Sequence, residues 1–200
     1  MLSKLKQKLQ SLLYTEAKVA HKIGLTPNII SVFGVSFSTF SAITYVISSN
    51  NSWLLFIAAS LLLASGFCDV LDGILARTYN QESVFGSFFD SVLDRYSDAV
   101  IFVGIILGGL CNIFWGLFAI VGSLLVSYTR AKGESLGVKM ASIGLMERAE
   151  RLIILIVSSI IAFFWLPALN IAIASLAILT NFTVMERGFY IYRALKKKNK

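Results

Sequence analysis

Apolar residues gather into six long runs, at positions 29–47, 53–68, 99–110, 113–126, 152–166 and 168–185. Several approach the ~20 residues that carry an α-helix across a bilayer. With 56% hydrophobic and 14% charged residues and a mean hydropathy of +0.76, a water-soluble domain of 200 residues is excluded. The shorter runs reach spanning length if the one at 99 extends back through Val84 and the one at 53 forward through Asp69. Their charges must then face protein or water. The expected fold is an all-α integral membrane protein: one domain over 1–200, with a bundle of six transmembrane helices over 27–195.

The 18 Lys and Arg residues set the orientation. Residues 4–22, Arg77, 130–151 and 187–200 hold nearly all of them on one side of a six-crossing path, whereas 48–52, 108–112 and Pro167 carry no charge. Positive charge stays on the cytoplasmic side of short loops, so both termini are expected there, in a multi-pass protein of the cell membrane. Trp53, Trp115 and Trp165 fall at the opposite helix ends, where indole favours the headgroup layer. Anionic headgroups account for the net charge of +7 without nucleic acid as a partner. Cys68 and Cys111 are expected on opposite sides, which suggests neither a disulfide nor a thiol metal site. Leu2, Leu5, Leu9, Leu12 and Leu13 against Lys4, Lys6 and Lys8 make 1–22 an amphipathic interfacial helix, with no cleavable signal apparent. Thr26-Pro27-Asn28 opens the first span, and 196–200 reads as a frayed basic tail. His21 has no evident partner and reads as a surface residue beside Lys22.

Chemistry is concentrated in one segment. Asp69 and Asp72 are three residues apart and Asp90 and Asp94 four apart, so each pair projects from one face of its helix. A turn at 77–83 brings the two faces together at similar depth, just inside the membrane. Four clustered carboxylates in a low dielectric need cations or protons to coexist. All-oxygen ligation favours Mg²⁺ or Mn²⁺, and shared carboxylates can hold two ions about 4 Å apart and bind a diphosphate. Helix capping, or pairing with Arg77 and Arg95, accounts for one or two of these aspartates but not for four.

Asp69, Asp72, Gly73, Ala76, Arg77, Gly86, Asp90 and Asp94 together resemble, at every fixed position and spacing, the signature of the CDP-alcohol phosphotransferases. The resemblance implies that Asp69, Asp72, Asp90 and Asp94 bind two metal ions, and that Asp94 also acts as general base toward an acceptor hydroxyl. It implies contact of Gly73, Ala76, Arg77 and Gly86 with a CDP-lipid, with helix packing as the alternative for the glycines. Asn28 and Ser31 resemble another family segment near the nucleotide, and helix capping explains them equally well. A homodimer is also implied.

The family's acceptors include inositol, inositol phosphate, glycerol phosphate, serine, ethanolamine and choline. Ser127, Arg130, Lys132, Arg148 and Arg151 resemble the acceptor region of prokaryotic phosphatidylinositol phosphate synthases and of archaeal counterparts, and Arg187 joins these cations at the cytoplasmic helix ends as a further acceptor-binding candidate. Several of these cations can converge on an acceptor phosphate, and Arg148 and Arg187 each stand beside a Glu able to hold them. The alternative is that they are positive-inside residues facing headgroups. The expected reaction is transfer of a lipid phosphate from CDP-diacylglycerol or CDP-archaeol to inositol phosphate, at a cytoplasmic-end site within the membrane lipids, with loss of CMP. Rival readings are the same chemistry with glycerol phosphate or another alcohol, a membrane prenyltransferase, and a divalent-cation transporter.

Overall fold

Helix boundaries follow local chemistry. The computed structural model describes residues 14–48, 51–141 and 143–198. Among them are seven helices and no strand: α1 (Tyr14–Lys22), α2 (Pro27–Ile47), α3 (Trp53–Thr78), α4 (Val84–Leu107), α5 (Ile113–Ser135), α6 (Arg148–Phe164) and α7 (Pro167–Lys198). Thr26 is extended and its hydroxyl accepts from the Ile29 N–H at 3.4 Å, with Pro27 entering the first turn. Ser83 caps α4 through the Gly86 N–H at 2.9 Å, and Asn112 caps α5 through the Phe114 N–H at 2.9 Å.

α2 packs against both α3 and α4, α5 against α7, and α3 and α7 against α6. The α2–α4 crossing is close because it is made with glycine. A Cβ on Gly104 would lie 2.5 Å from the Ala42 carbonyl oxygen, and one on Gly108 would lie 2.3 Å from that of Tyr45. The main core joins Tyr45, Leu62, Phe102, Leu155 and Ile173 from five helices. Hydroxyls inside it find each other, as apolar surroundings require: Tyr45 Oη lies 2.6 Å from Ser159 Oγ, and Ser38 Oγ 2.7 Å from Ser65 Oγ. A second cluster seats Ala17 and Ala20 of α1 with Ile30, Leu71, Ile74 and Leu75.

By length and apolar composition alone, α2, α3, α5 and α7 qualify as candidate membrane spans among the described residues. α4 is long enough at 24 residues but includes Asp90, Asp94, Arg95 and Asp98, while α6 has only 17 residues. The basic tail is not frayed at Lys196: α7 stays helical through Lys198. His21 does have a partner, since its ring stacks on Tyr79 at 3.7 Å between centroids. The leucine and lysine pattern of residues 2–13 lies outside the described residues, and only the Tyr14–Lys22 part of that segment is seen as a helix.

Candidate active site

One turn of helix separates Asp69 from Asp72 on α3, and successive turns separate Asp90, Asp94 and Asp98 on α4. Because α3 and α4 are joined by a short turn, the C-terminal end of one faces the N-terminal end of the other. One carboxylate oxygen from each of Asp69, Asp72 and Asp90 lies within 4.8 Å of the other two. Asp72 is buried, and the buried Ser31 hydroxyl of α2 donates to its Oδ2 at 2.5 Å. Ser31 Oγ is also 3.1 Å from the Pro27 carbonyl, but its single proton serves the shorter contact. Asp94 stands outside the group of three, with Oδ1 2.9 Å from Arg148 Nη1. Three hard oxygen donors converging at this distance suit a divalent ion such as Mg²⁺ or Mn²⁺.

Carboxylates of this region line two cavities, Asp72 and Asp90 one of them and Asp94 and Asp98 the other. A cavity of about 270 Å³ is lined by Asn28, Ser31, Asp72, Gly73, Ala76, Arg77, Gly86 and Asp90, which brings together all six residues expected at a CDP-lipid. Gly86 matters here sterically. A Cβ on it would come within 2.9 Å of Ser83 Oγ and 3.3 Å of Asn28 Oδ1, so a side chain would spoil the cap and push into the cavity wall. The second cavity, of about 360 Å³, is lined by Asp94, Asp98, Ser127, Arg130, Glu147, Arg148, Arg151 and Arg187. Five of the six residues expected at an acceptor meet there. Lys132 does not: it is exposed on α5 and is not among the residues that line either cavity.

The arginines differ in how they are held. Arg187 is 1% exposed, and donates through Nε to Ile143 O at 2.8 Å, through Nη1 to Val126 O at 2.5 Å and through Nη2 to Glu147 Oε1 at 3.5 Å. Its carboxylate partner is therefore Glu147, not the adjacent Glu186. Arg151 is also buried, with Nη2 on Asp98 Oδ2 and Nη1 on Met146 O at 3.2 Å. Arg148 likewise turns away from its neighbour Glu147 and lies 2.6 Å from Asp69 Oδ1 and 2.9 Å from Asp94 Oδ1. Arg130 is more exposed, pairing with Glu134 at 3.2 Å and Glu147 at 3.7 Å. The aspartates thus pair with neither Arg77 nor Arg95 among the described residues. Asp98 is an addition to the expected site residues, and its place four residues after Asp94, which continues the same helical face, is the sequence signal for it.

Residues 24–188 match the sequence profile of CDP-alcohol phosphatidyltransferase. The chain is 40% identical over 179 residues to an archaetidylinositol phosphate synthase of Methanothermobacter thermautotrophicus, covering 89% of each. It is 35% identical to the enzyme of the same name from Pyrococcus horikoshii, over 98% of both chains. Its structure resembles that of Mycobacterium tuberculosis phosphatidylinositol phosphate synthase with CDP-DAG bound, with a TM-score of 0.79 at 28% identity over 89% of this chain and 92% of that one. A structure of the same mycobacterial enzyme in complex with manganese and citrate gives a TM-score of 0.78 at 28% identity, over 89% and 88% of the two chains.

Proposed function

The chain belongs to the CDP-alcohol phosphatidyltransferase family, and from that membership we propose that it transfers a phosphatidyl or archaetidyl group from a CDP-lipid to inositol phosphate, releasing CMP. The observation that carries this reading is the pair of cavities beside the carboxylates, of which one is lined by Asp72, Gly73, Ala76, Arg77, Gly86 and Asp90 of the signature and the other by Asp94 with Arg130, Arg148, Arg151 and Arg187. A cavity with four guanidiniums suits an acceptor that brings its own phosphate. The relatives named archaetidylinositol phosphate synthase and the CDP-DAG complex of the mycobacterial enzyme support the choice of donor and acceptor.

In this proposal Asn28, Ser31, Gly73, Ala76, Arg77 and Gly86 bind the CDP end of the donor, while its tails remain in the bilayer. Asp69, Asp72 and Asp90, with Asp94 beside them, hold two Mg²⁺ or Mn²⁺ ions, a role consistent with the manganese complex of the mycobacterial neighbour. Such ions, when bound, neutralise the diphosphate and stabilise CMP as it departs. Ser127 and the four arginines orient the acceptor phosphate so that a ring hydroxyl faces the cluster. Asp94 takes the hydroxyl proton as that oxygen bonds to the lipid-bearing phosphorus, and the bond from this phosphorus to the CMP oxygen breaks. All six long helices cross the cell membrane, both termini and the site are cytoplasmic, and two copies form a homodimer.

Glycerol phosphate is the second reading, because the same guanidiniums would recognise its phosphate. The experiment is CMP release by purified protein with Mg²⁺ and CDP-archaeol or CDP-diacylglycerol, offering inositol phosphate, inositol, glycerol phosphate and serine separately. Release with inositol phosphate alone is expected. Release with inositol but not its phosphate would remove the basic cavity from the reaction, and release only with glycerol phosphate would reassign the acceptor.

A further inference from the structure

Arg148 opens α6 and reaches into the acidic cluster, with Nη1 2.6 Å from Asp69 Oδ1 and 2.9 Å from Asp94 Oδ1. These are ion-pair distances without hydrogen-bond geometry. Both Nη1 and Nε are buried, and neither directs an N–H at an acceptor. Arg187, by contrast, is fixed by bonds to two backbone carbonyls. A guanidinium held by charge alone yields to a denser cation more readily than one fixed by directed bonds. Asp98 is ready to receive it: its Oδ1 lies 3.9 Å from Arg148 Nε and accepts no hydrogen bond among the described residues, while Oδ2 is engaged by Arg151. Arg148 also lines the basic cavity, so its side chain stands at the boundary of both compartments.

We propose that Arg148 is an exchangeable counter-ion of Asp69 and Asp94: a divalent cation that takes these carboxylates drives its guanidinium toward Asp98 and the basic cavity, so metal loading primes that cavity for a phosphate-bearing ligand. This rests on the reading of the aspartates as metal ligands. The physical basis is that two cations at contact distance from the same oxygens repel each other strongly in a partly buried site. Linkage makes the effect reciprocal, so phosphate in the basic cavity tightens metal binding by the same factor that metal tightens phosphate.

The test is Mn²⁺ binding to the purified full chain, read from the free-ion paramagnetic resonance signal, with and without inorganic phosphate, for wild type, Arg148→Ala and Arg148→Lys. Arg148→Ala is expected to bind Mn²⁺ roughly tenfold more tightly or better, within the usual range of coupling between sites. Arg148→Lys keeps a competing charge and stays near wild type. Phosphate should tighten Mn²⁺ in wild type and lose that effect in Arg148→Ala. Equal or weaker Mn²⁺ binding by Arg148→Ala overturns the competition, and phosphate coupling that survives the substitution overturns the priming. A wild-type chain that binds no Mn²⁺ removes instead the metal reading beneath it. Thermal unfolding in EDTA and in Mn²⁺ covers a variant too unstable for the longer equilibrium titration. A larger metal-induced rise in Tm for Arg148→Ala supports exchange, and an equal rise overturns it.

Discussion

Arg151 and Asp98 set the cost of error at the level of single residues. The Arg151 side chain is 2% exposed and that of Asp98 12%, so each is the other's main compensation for leaving water. Removing one partner of a buried pair typically costs roughly 3–5 kcal/mol, because the charge left behind is unpaired. Asp98→Ala should therefore lower the unfolding temperature sharply. The double variant Asp98→Leu/Arg151→Met, which removes both charges, should recover much of it, and failure to recover would mean that Asp98 acts through more than this pair. Asp94 belongs to a different class of residue. Asp94→Asn keeps the shape but cannot accept a proton, so turnover should fall roughly 10²- to 10⁴-fold as for a lost general base, with CDP-lipid affinity largely kept. Undiminished turnover would remove Asp94 as base. The positive charges also explain what the sequence left unreadable. Residues adjacent in a helix point about 100° apart, so Glu147 cannot hold Arg148 nor Glu186 hold Arg187 simply by being next to them. Their partners come from other helices. Lys132 shows a related limit of sequence: a cation facing a pocket and one facing headgroups share the same local sequence, and only the packed face separates them.

Among the helices, α4 supplies Asp90, Asp94 and Asp98 to the candidate site and is the one that composition understates. Its carboxylates line the cluster and the basic cavity, while Phe85, Phe88, Tyr96, Val103 and Leu107 are exposed. Averaging hydropathy along the helix mixes these two faces, although the four-residue spacing of Asp90 and Asp94 survives the mixing and was legible from sequence. The α2–α4 contact was not legible, because a glycine in an apolar run gives no sign of what approaches it. Gly104→Ala should force the helices apart at Ala42 and cost about 1–3 kcal/mol, the usual penalty for overpacking. Gly188→Ala on α7 is the control: no atom lies within 4 Å of the new Cβ, and replacing a mid-helix glycine should stabilise by roughly 0.5–1 kcal/mol. Equal melting temperatures for the two variants would show that the crossing is not held by Gly104.

Whether α4 and α6 cross decides the topology of the whole molecule, and the charge distribution argues that they do. If only α2, α3, α5 and α7 crossed, the two ends of α4 would lie on one side, and Arg130, Lys132, Lys139, Arg148 and Arg151 would face the side opposite to Arg77 and Lys18. Five basic residues between two spans on the outer side would run against the retention of positive charge inside. Six crossings put all of them with the termini and the two cavities. Ser52 and Lys139, both exposed, separate the alternatives, because three helices lie between them if α4 crosses and only two crossing helices if it does not. Cysteines placed singly at these positions can be probed with a membrane-impermeant maleimide on intact cells. The native Cys111 gives little background, since burial pushes its thiol up to about 11 and leaves it protonated near neutral pH. With the sign worked through, labelling of Cys111 should rise only as the medium becomes alkaline. The expected outcome is that Ser52→Cys reacts from outside and Lys139→Cys reacts only after permeabilisation. Labelling of both from the same side would leave four spans and put the basic residues of α5 and α6 across the membrane from the N-terminal lysines, where they could not share a compartment with a cytoplasmic nucleotide.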